Sequence, residues 1–434
     1  MIKRFRPMPA TAMAAVLGLA MMTTAAVPAA AREKPKKEAA TKGPQLNPSK
    51  DFRPFAQKMD AAFKKKDAAA LQAAITEGQG AATTNDDKYY LGFFTLQLGI
   101  LNKDQALQEQ GLNTALESGL VPAADAAIYN FFSGQFAYQK KDYAKAAQRL
   151  EAARAAGSTE AALPDVLLDS YAKSGQTDKA VAFAKENIAT MLAAGQRPSE
   201  QMFVVPARAL QEANRTEEML DLLALRVQSY PTPQIWHQTL MIAIRGADKD
   251  RTLDTLRLMR ATNSLLERGE YAEYATLASQ AALPGEVVAV IREGKAKRVI
   301  PAADAELDEL AKTQVERAGD EESTLAAYAK RPATLSNPKV AGVTGDALVG
   351  YGRAAEAIPL YQAALSAGGD KDLWTYRLAV AQAMTGDAAA AKASFGQVTG
   401  PRKTLAKFWL AKLNAEGAPA AAPAPAAAQP VTGG

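Results

Sequence analysis

The chain has 434 residues, no cysteine, one histidine (His237) and a formal charge of +5, with 48% hydrophobic residues of which few are aromatic. Without cysteine there is no disulfide, thiol nucleophile or thiolate metal site, and one histidine cannot build a multi-histidine zinc or iron centre. Alanine and leucine therefore supply most of the apolar surface, and both favour helix, so an all-α protein is expected.

The N-terminus reads as an export signal: Lys3, Arg4 and Arg6 precede an apolar stretch over Ala12–Met22, and Ala29 and Ala31 give the small-x-small pattern of a cleavage site after Ala31. A retained membrane anchor is the rival reading, because no charge separates Arg6 from Arg32. The apolar core is nearer the ~7–15 residues of a signal than the ~20 of a span. Loss of residues 1–31 leaves the mature chain at +2, which removes most of the charge-based argument for nucleic-acid binding. Residues 32–50, with Lys34, Lys36, Lys37 and Lys42, read as a basic, disordered leader. Helical periodicity runs from Asp51 to about Asn414, and residues 415–434 form an Ala/Pro/Gly-rich tail without an apolar face.

Within the helical region a 34-residue period recurs, clearest at 127–265 and 338–400. Gly134 lies in a first helix, Lys141-Asp142 in a turn, and Tyr143, Ala146, Leu150 and Ala153 in a second helix. Ala180 and Ala184 follow Ala146 and Leu150 by 34 residues, with Tyr171 and Gly175 before them. Leu210, Met219 and Leu222 recur as Ile244, Leu253 and Leu256, and Gly345, Gly352, Ala357, Tyr361 and Ala364 recur as Ala379, Gly386, Ala391, Phe395 and Val398. Trp236 and Trp374 fall at equivalent places, four periods plus two residues apart, and the two extra residues are assigned to a loop around Arg268-Gly269. Such a period describes antiparallel helix pairs that cannot bury their apolar faces alone and so stack into a solenoid.

These sets resemble the tetratricopeptide repeat (TPR), in its exported bacterial form. The resemblance implies a right-handed superhelix of about eight to ten stacked antiparallel helix pairs over residues 51–414, with 51–122 and 302–338 matching more loosely. It also implies a protein-interaction scaffold whose first helices line a concave groove. Carried over, that groove holds Phe131, Gln135 and Tyr138, then Asp165, Asp169 and Lys173, then Arg208 and Gln211, then Gln238 and Arg245. The lysine–asparagine clamp of the family's cochaperone members is missing, because Phe131, Gln135, Asp165 and Asp169 occupy its places.

Other fragments read as structural. Glu117-Ser118 resembles the opening of the lytic transglycosylase motif, but Ala126 replaces the expected serine, and Gly119 reads as a helix cap. Gly350-Tyr351-Gly352 mimics a dinucleotide loop without a preceding strand. His237 lacks a suggested orienting partner. Tyr89, Tyr90, Phe93 and Phe94 read as packing, whereas Phe131, Phe132, Phe136 and Tyr138 crowd one helix so densely that one exposed aromatic anchor is expected. The expected function is a non-enzymatic scaffold of a Gram-negative bacterium, periplasmic or secreted after cleavage near Ala31, binding a protein or peptide of the cell envelope. It uses no cofactor, metal or nucleic acid and has no membrane span after cleavage. The alternative is a cell-envelope enzyme, or a peptidoglycan-associated protein, with a carboxylate-based glycosidase-like site.

Overall fold

The structure is a computed structural model that describes residues 46–417. The expected signal (1–31), most of the leader and nearly all of the tail lie outside the described residues. The described chain contains twenty-one α-helices, one short 3-10 turn and no strand. It is all-α and built largely of successive helix pairs, as the periodicity indicates, and divides into two compact units at Ala180/Val181.

The first unit stacks α1 (Arg53–Lys64) on α2 (Ala68–Gly78), α3 (Asn85–Leu101) on α4 (Gln105–Glu117), and α5 (Ala123–Gln139) on α6 (Tyr143–Ala155), followed by α7 (Leu163–Lys173). The boundary falls inside α8 (Thr177–Ala193). Three of these pairs turn in the same way. Lys66, Lys103 and Lys141 adopt left-handed backbone at φ 55°, 55° and 65°, ending one helix, and the next residue is an aspartate that caps the following one. Asp67 accepts from the Ala70 amide, Asp104 from Ala106 and Leu107, and Asp142 from Lys145. Each cap satisfies amide donors that the first helical turn leaves unpaired. These turns are 37 and 38 residues apart, so the looser spacing of the N-terminal region reflects longer helices around the same device.

The α3/α4 pair packs backbone to backbone. A methyl group on Gly111 would stand 2.2 Å from the Leu96 nitrogen, and one on Gly92 would stand 2.4 Å from the Ala115 nitrogen. Phe52, Met59, Leu71, Phe94 and Leu98 form the core beside that crossing. Residues 47–49, expected to belong to the leader, are held at the start of α3. The Asn47 amide donates to Asp86 at 2.9 Å and the Ser49 amide to Asp87 at 2.8 Å.

The second unit continues with α9 (Gln201–Glu212) and α10 (Thr216–Ser229), α11 (Pro233–Ala243) and α12 (Lys249–Ala261), and α13 (Arg268–Gln280) and α14 (Pro284–Ala296). A 25-residue helix, α15 (Ala305–Ala329), and one turn, α16 (Pro332–Leu335), then interrupt the pairing. It resumes with α17 (Pro338–Gly350) and α18 (Ala354–Ser366), then α19 (Lys371–Met384), α20 (Ala388–Phe395) and α21 (Lys403–Gly417), so the last helix runs into the expected tail. Trp236 and Trp374 are each the fourth residue of their helix and are buried, as their equivalence implies. Arg268 and Gly269, however, are the first turn of α13 and not a loop. The irregularity lies at α15, where one long helix stands in place of a pair.

Most unexpectedly for an array of neighbours, α21 packs back on α10. Phe408 meets Trp236 edge to face with ring centroids 6.4 Å apart, and Lys407 forms an ion pair with Asp221 across 186 residues of chain.

Gly111→Ala should lower stability by about 1–3 kcal/mol, because the intruding methyl meets backbone that cannot rotate aside. Equilibrium urea unfolding followed by far-ultraviolet circular dichroism would check this, and an unchanged midpoint would contradict the close crossing of α3 and α4.

Candidate functional site

Of the groove expected from the resemblance, the first unit assembles one cluster. The Tyr138 hydroxyl donates to Asp169, Lys173 Nζ lies 2.8 Å from that hydroxyl and 2.5 Å from Asp169, and the ammonium sits over the Tyr138 and Tyr143 rings at 4.9 and 5.2 Å. Burial works against the Lys173 charge, yet Asp169 and Tyr138 more than offset it and raise its pKa. The cluster is internally satisfied. Gln135 and Asp165 are half-buried on the same helices.

Phe131 is not a groove residue. It is fully buried, and Phe132 and Phe136 are buried with it. The exposed aromatic anchor expected in this helix is therefore absent, because helices on both sides of α5 cover it and Tyr138 is screened by Lys173. In the second unit, Gln238 accepts from Arg226 Nη2 at 3.1 Å, and Arg226 is paired in turn with Glu200. Arg208, Gln211 and Arg245 are exposed, and their side chains make no ion pair or hydrogen bond among the described residues.

The most developed site lies elsewhere, in a cleft of roughly 980 Å³ inside the second unit. Its construction starts from α12, where Asp254, Arg257 and Arg260 recur every third residue and so share one face. Asp254 is fully buried. It receives Arg257 Nη1 at 3.2 Å, Arg377 Nη1 from α19 at 2.7 Å, and Arg402 Nε, just before α21, at 2.8 Å. Arg257 then clamps Glu286 of α14 with Nε at 2.7 Å and Nη2 at 2.6 Å, and the Tyr274 hydroxyl donates to the same carboxylate at 2.7 Å. Arg377 also faces Asp346 of α17, which accepts from the Tyr361 hydroxyl at 2.8 Å.

Burial would push Glu286 up, but the Arg257 charge and hydrogen bonds prevail and hold it below the usual carboxylate range. Burial and the neighbouring carboxylates push the Tyr274 and Tyr361 hydroxyls upward, so both stay protonated. Three arginines and three carboxylates thus neutralise one another in the floor, which is the condition for tolerating charge away from water.

Above this floor the walls are apolar stripes at helical spacing. Val288, Ala289 and Arg292 come from α14, Val315, Ala318, Gly319 and Glu322 from α15, and Val380 and Met384 from α19. Val315 on α15 is 55% and Met384 on α19 50% exposed, unusual for apolar side chains that line a cleft. The sequence carried one signal for this site: charged residues at every third position of α12, interleaved with Leu253, Leu256 and Met259. It carried none for the partners, which lie up to 148 residues away.

The remaining fragments resolve simply. Glu117 is the exposed last residue of α4, and Gly119 takes the left-handed φ of +71° expected of a cap. Gly350-Tyr351-Gly352 ends a helix and no strand precedes it. His237 does have a partner, contrary to expectation: its Nε2 lies 2.5 Å from Glu270, which also accepts from the Leu266 and Glu267 amides. No metal-holding group of three or more acidic or histidine side chains occurs among the described residues, and none of the described helices is long and apolar enough to cross a membrane.

Asp254→Leu should destabilise the protein by about 3–5 kcal/mol, since it strands the buried Arg402 and leaves Arg377 only Asp346 at 3.3 Å. Chemical unfolding would measure this, and a loss under about 1 kcal/mol would show the clasp to be incidental. Glu286 links the same cluster to pH. A carboxylate whose folded pKa is depressed adds stability above its ordinary value near 4.5, and that stability fades as pH falls through the lower folded value. The urea midpoint should therefore fall with acidification below about pH 4.5, less steeply in Glu286→Gln.

No protein-family model matches the chain, and no curated protein sequence matches it. Among solved structures, it is similar over 81% of its length to a chain in the structure of Naa15/Naa10 bound to HypK-THB, at 12% identity and TM-score 0.34, covering 63% of that chain. It is similar over 82% of its length to the pentatricopeptide repeat protein PPR10 from maize, at 13% identity and TM-score 0.24, covering 61% of that protein. Yeast Tom70 aligns with 84% of it at 12% identity and TM-score 0.19, with 95% of Tom70 covered. The chain spans less than two thirds of the length of the first two. Overlaps this loose leave the repeat architecture to be argued from the helices of the chain itself.

Proposed function

We propose that the protein is a non-enzymatic scaffold that binds a protein or peptide partner, exported to the periplasm of a Gram-negative bacterium and anchored to no membrane once its signal is removed. The observation that carries the binding role is the cleft of the second unit, where Val315 and Met384 line the cavity and stay exposed beside a rigid charged floor. Exposed apolar side chains collected in one concavity favour an occupant that buries them. The floor itself favours recognition over proton transfer, because its carboxylates are saturated by arginine and its tyrosines are held protonated. The cellular location rests on the charged start, apolar stretch and Ala29–Ala31 pattern of the N-terminus. Glu117, on which a glycosidase-like reading turns, stands exposed beside a cap, and no observation favours that reading.

A photo-crosslinking side chain introduced at Met384 in cells should trap a discrete protein adduct in the periplasmic fraction. The same group at Lys88, on the first unit, should not. Equal labelling at both positions would count against a dedicated site, and recovery of the chain only in the cytoplasm would refute the export.

A further inference from the structure

One turn of the second unit carries chemistry that the cleft does not use. An asparagine followed two residues on by serine or threonine, with any residue but proline between, is the acceptor pattern for an N-linked glycan. In the whole sequence Asn214-Arg215-Thr216 alone meets it, because Asn47-Pro48-Ser49 has the excluded proline. So short a pattern decides nothing by itself, and its surroundings in the fold must carry the argument.

Asn214 lies in the turn between α9 and α10, in left-handed backbone at φ 56°. Residues 211–214 and Thr216 are exposed, and the side chains of Asn214 and Thr216 make no hydrogen bond among the described residues. Asn263 supplies the contrast. It has the same left-handed backbone at φ 54°, but its Oδ1 accepts from Lys297 Nζ at 3.1 Å, and Leu265 stands where the hydroxyl is needed.

The start of α10 is also loosely tied. Asp67, Asp104, Asp142, Asp248 and Asp387 each cap the helix that follows their turn. Arg215 holds the same place before α10 and makes no side-chain cap, its guanidinium reaching Glu218 instead at 2.7 and 2.8 Å. The first amides of α10 therefore lack a side-chain acceptor, and an uncapped helix end frays readily. Fraying matters here, because a transferring enzyme has to draw Asn214 and Thr216 together into its own site, and Thr216 is the first residue of α10. Exposed Glu212, two residues before the asparagine, adds a carboxylate that a cationic groove of such an enzyme can hold.

We propose that Asn214 is the acceptor of an N-linked oligosaccharide, supplied as a lipid-linked glycosyl diphosphate in the compartment to which the chain is exported. Asn214 Nδ2 attacks the anomeric carbon of the sugar. The bond from that carbon to the diphosphate oxygen breaks as the N–C bond forms. The lipid diphosphate leaves with the electron pair, and the displaced amide proton passes to a base of the enzyme. Nothing is oxidised or reduced. The glycan extends into solvent from an exposed turn and displaces no packed side chain. The inference rests on the export reading above and is independent of the cleft and its partner.

The full chain, co-produced with an oligosaccharyltransferase and its lipid-linked donor and recovered from the cell envelope, should appear by intact-mass spectrometry with one added glycan. Peptide mapping should place it on Asn214. Asn214→Gly keeps the turn, since glycine adopts left-handed backbone freely, and should abolish the addition. Thr216→Ala should abolish it too, Thr216→Ser should retain it, and Asn263→Gly should leave it unchanged, all with matching circular dichroism. The same mass reports whether residues 1–31 have been removed, which separates the two readings. A processed chain that stays unglycosylated, while a control acceptor peptide in the same cells is modified, would overturn the proposal and leave the export standing. Addition that persists in Asn214→Gly would overturn it equally. For a chain that keeps residues 1–31, the export reading fails, and purified chain incubated with enzyme and donor decides the site: transfer to Asn214 upholds it, and no transfer removes it.

Discussion

A carboxylate with no access to water organises the second unit. Asp254 is surrounded by guanidinium groups from α12, α19 and the residues just before α21; Arg257 also holds Glu286 and Arg377 also faces Asp346, whereas Arg402 forms no other ion pair among the described residues. Taking an ion out of water is costly, and only close, well-aligned partners repay it. Arginine suits the task because its planar fork presents several donors in fixed directions, so that Arg257 grips Asp254 with one nitrogen and Glu286 with two others. The positions of α12, α14 and α19 are thereby coupled, and the cleft between them keeps its shape without being filled.

The two units use the same helix-pair plan for different ends. In the first, glycines at the α3/α4 crossing bring backbones into contact and leave no room between helices. In the second, the long α15 takes the place of a pair and holds a stripe of small residues, Ala318 and Gly319 beside Val315, at the mouth of the cleft. Tyr351 secures it there, donating to Glu321 at 2.7 Å. Substituting one helix for two removes packing material on one side, and the concavity is the result.

What could be read from the sequence follows from what a local pattern encodes. The 34-residue spacing of Ala357/Ala391 and Tyr361/Phe395 reports helix pairs because those residues meet near neighbours in the chain, and the structure buries all four. Phe131 was misplaced because a helix sandwiched by neighbours is apolar on several faces, and periodicity alone does not tell which face is open. The arginine–aspartate cluster was legible only as an oddity of α12, since its meaning depends on Arg377 and Arg402, far along the chain. The lysine–aspartate turns repeat as plainly as any motif, but at 37 and 38 residues they fall outside a search for one period.

The return of α21 to α10 has a bearing on how the protein is made. In an ordinary repeat array each module touches only its neighbours, so order spreads stepwise as the chain emerges. Here Asp221 waits for Lys407, and the clasp joins only after every intervening helix has been synthesised. Closing so long a loop costs entropy that no nearest-neighbour contact offsets in advance, and distant pairings of this sort slow acquisition of the native state. The second unit therefore spends its infancy as an open strip, its arginines and carboxylates still in water, and becomes a finished vessel in a single late event.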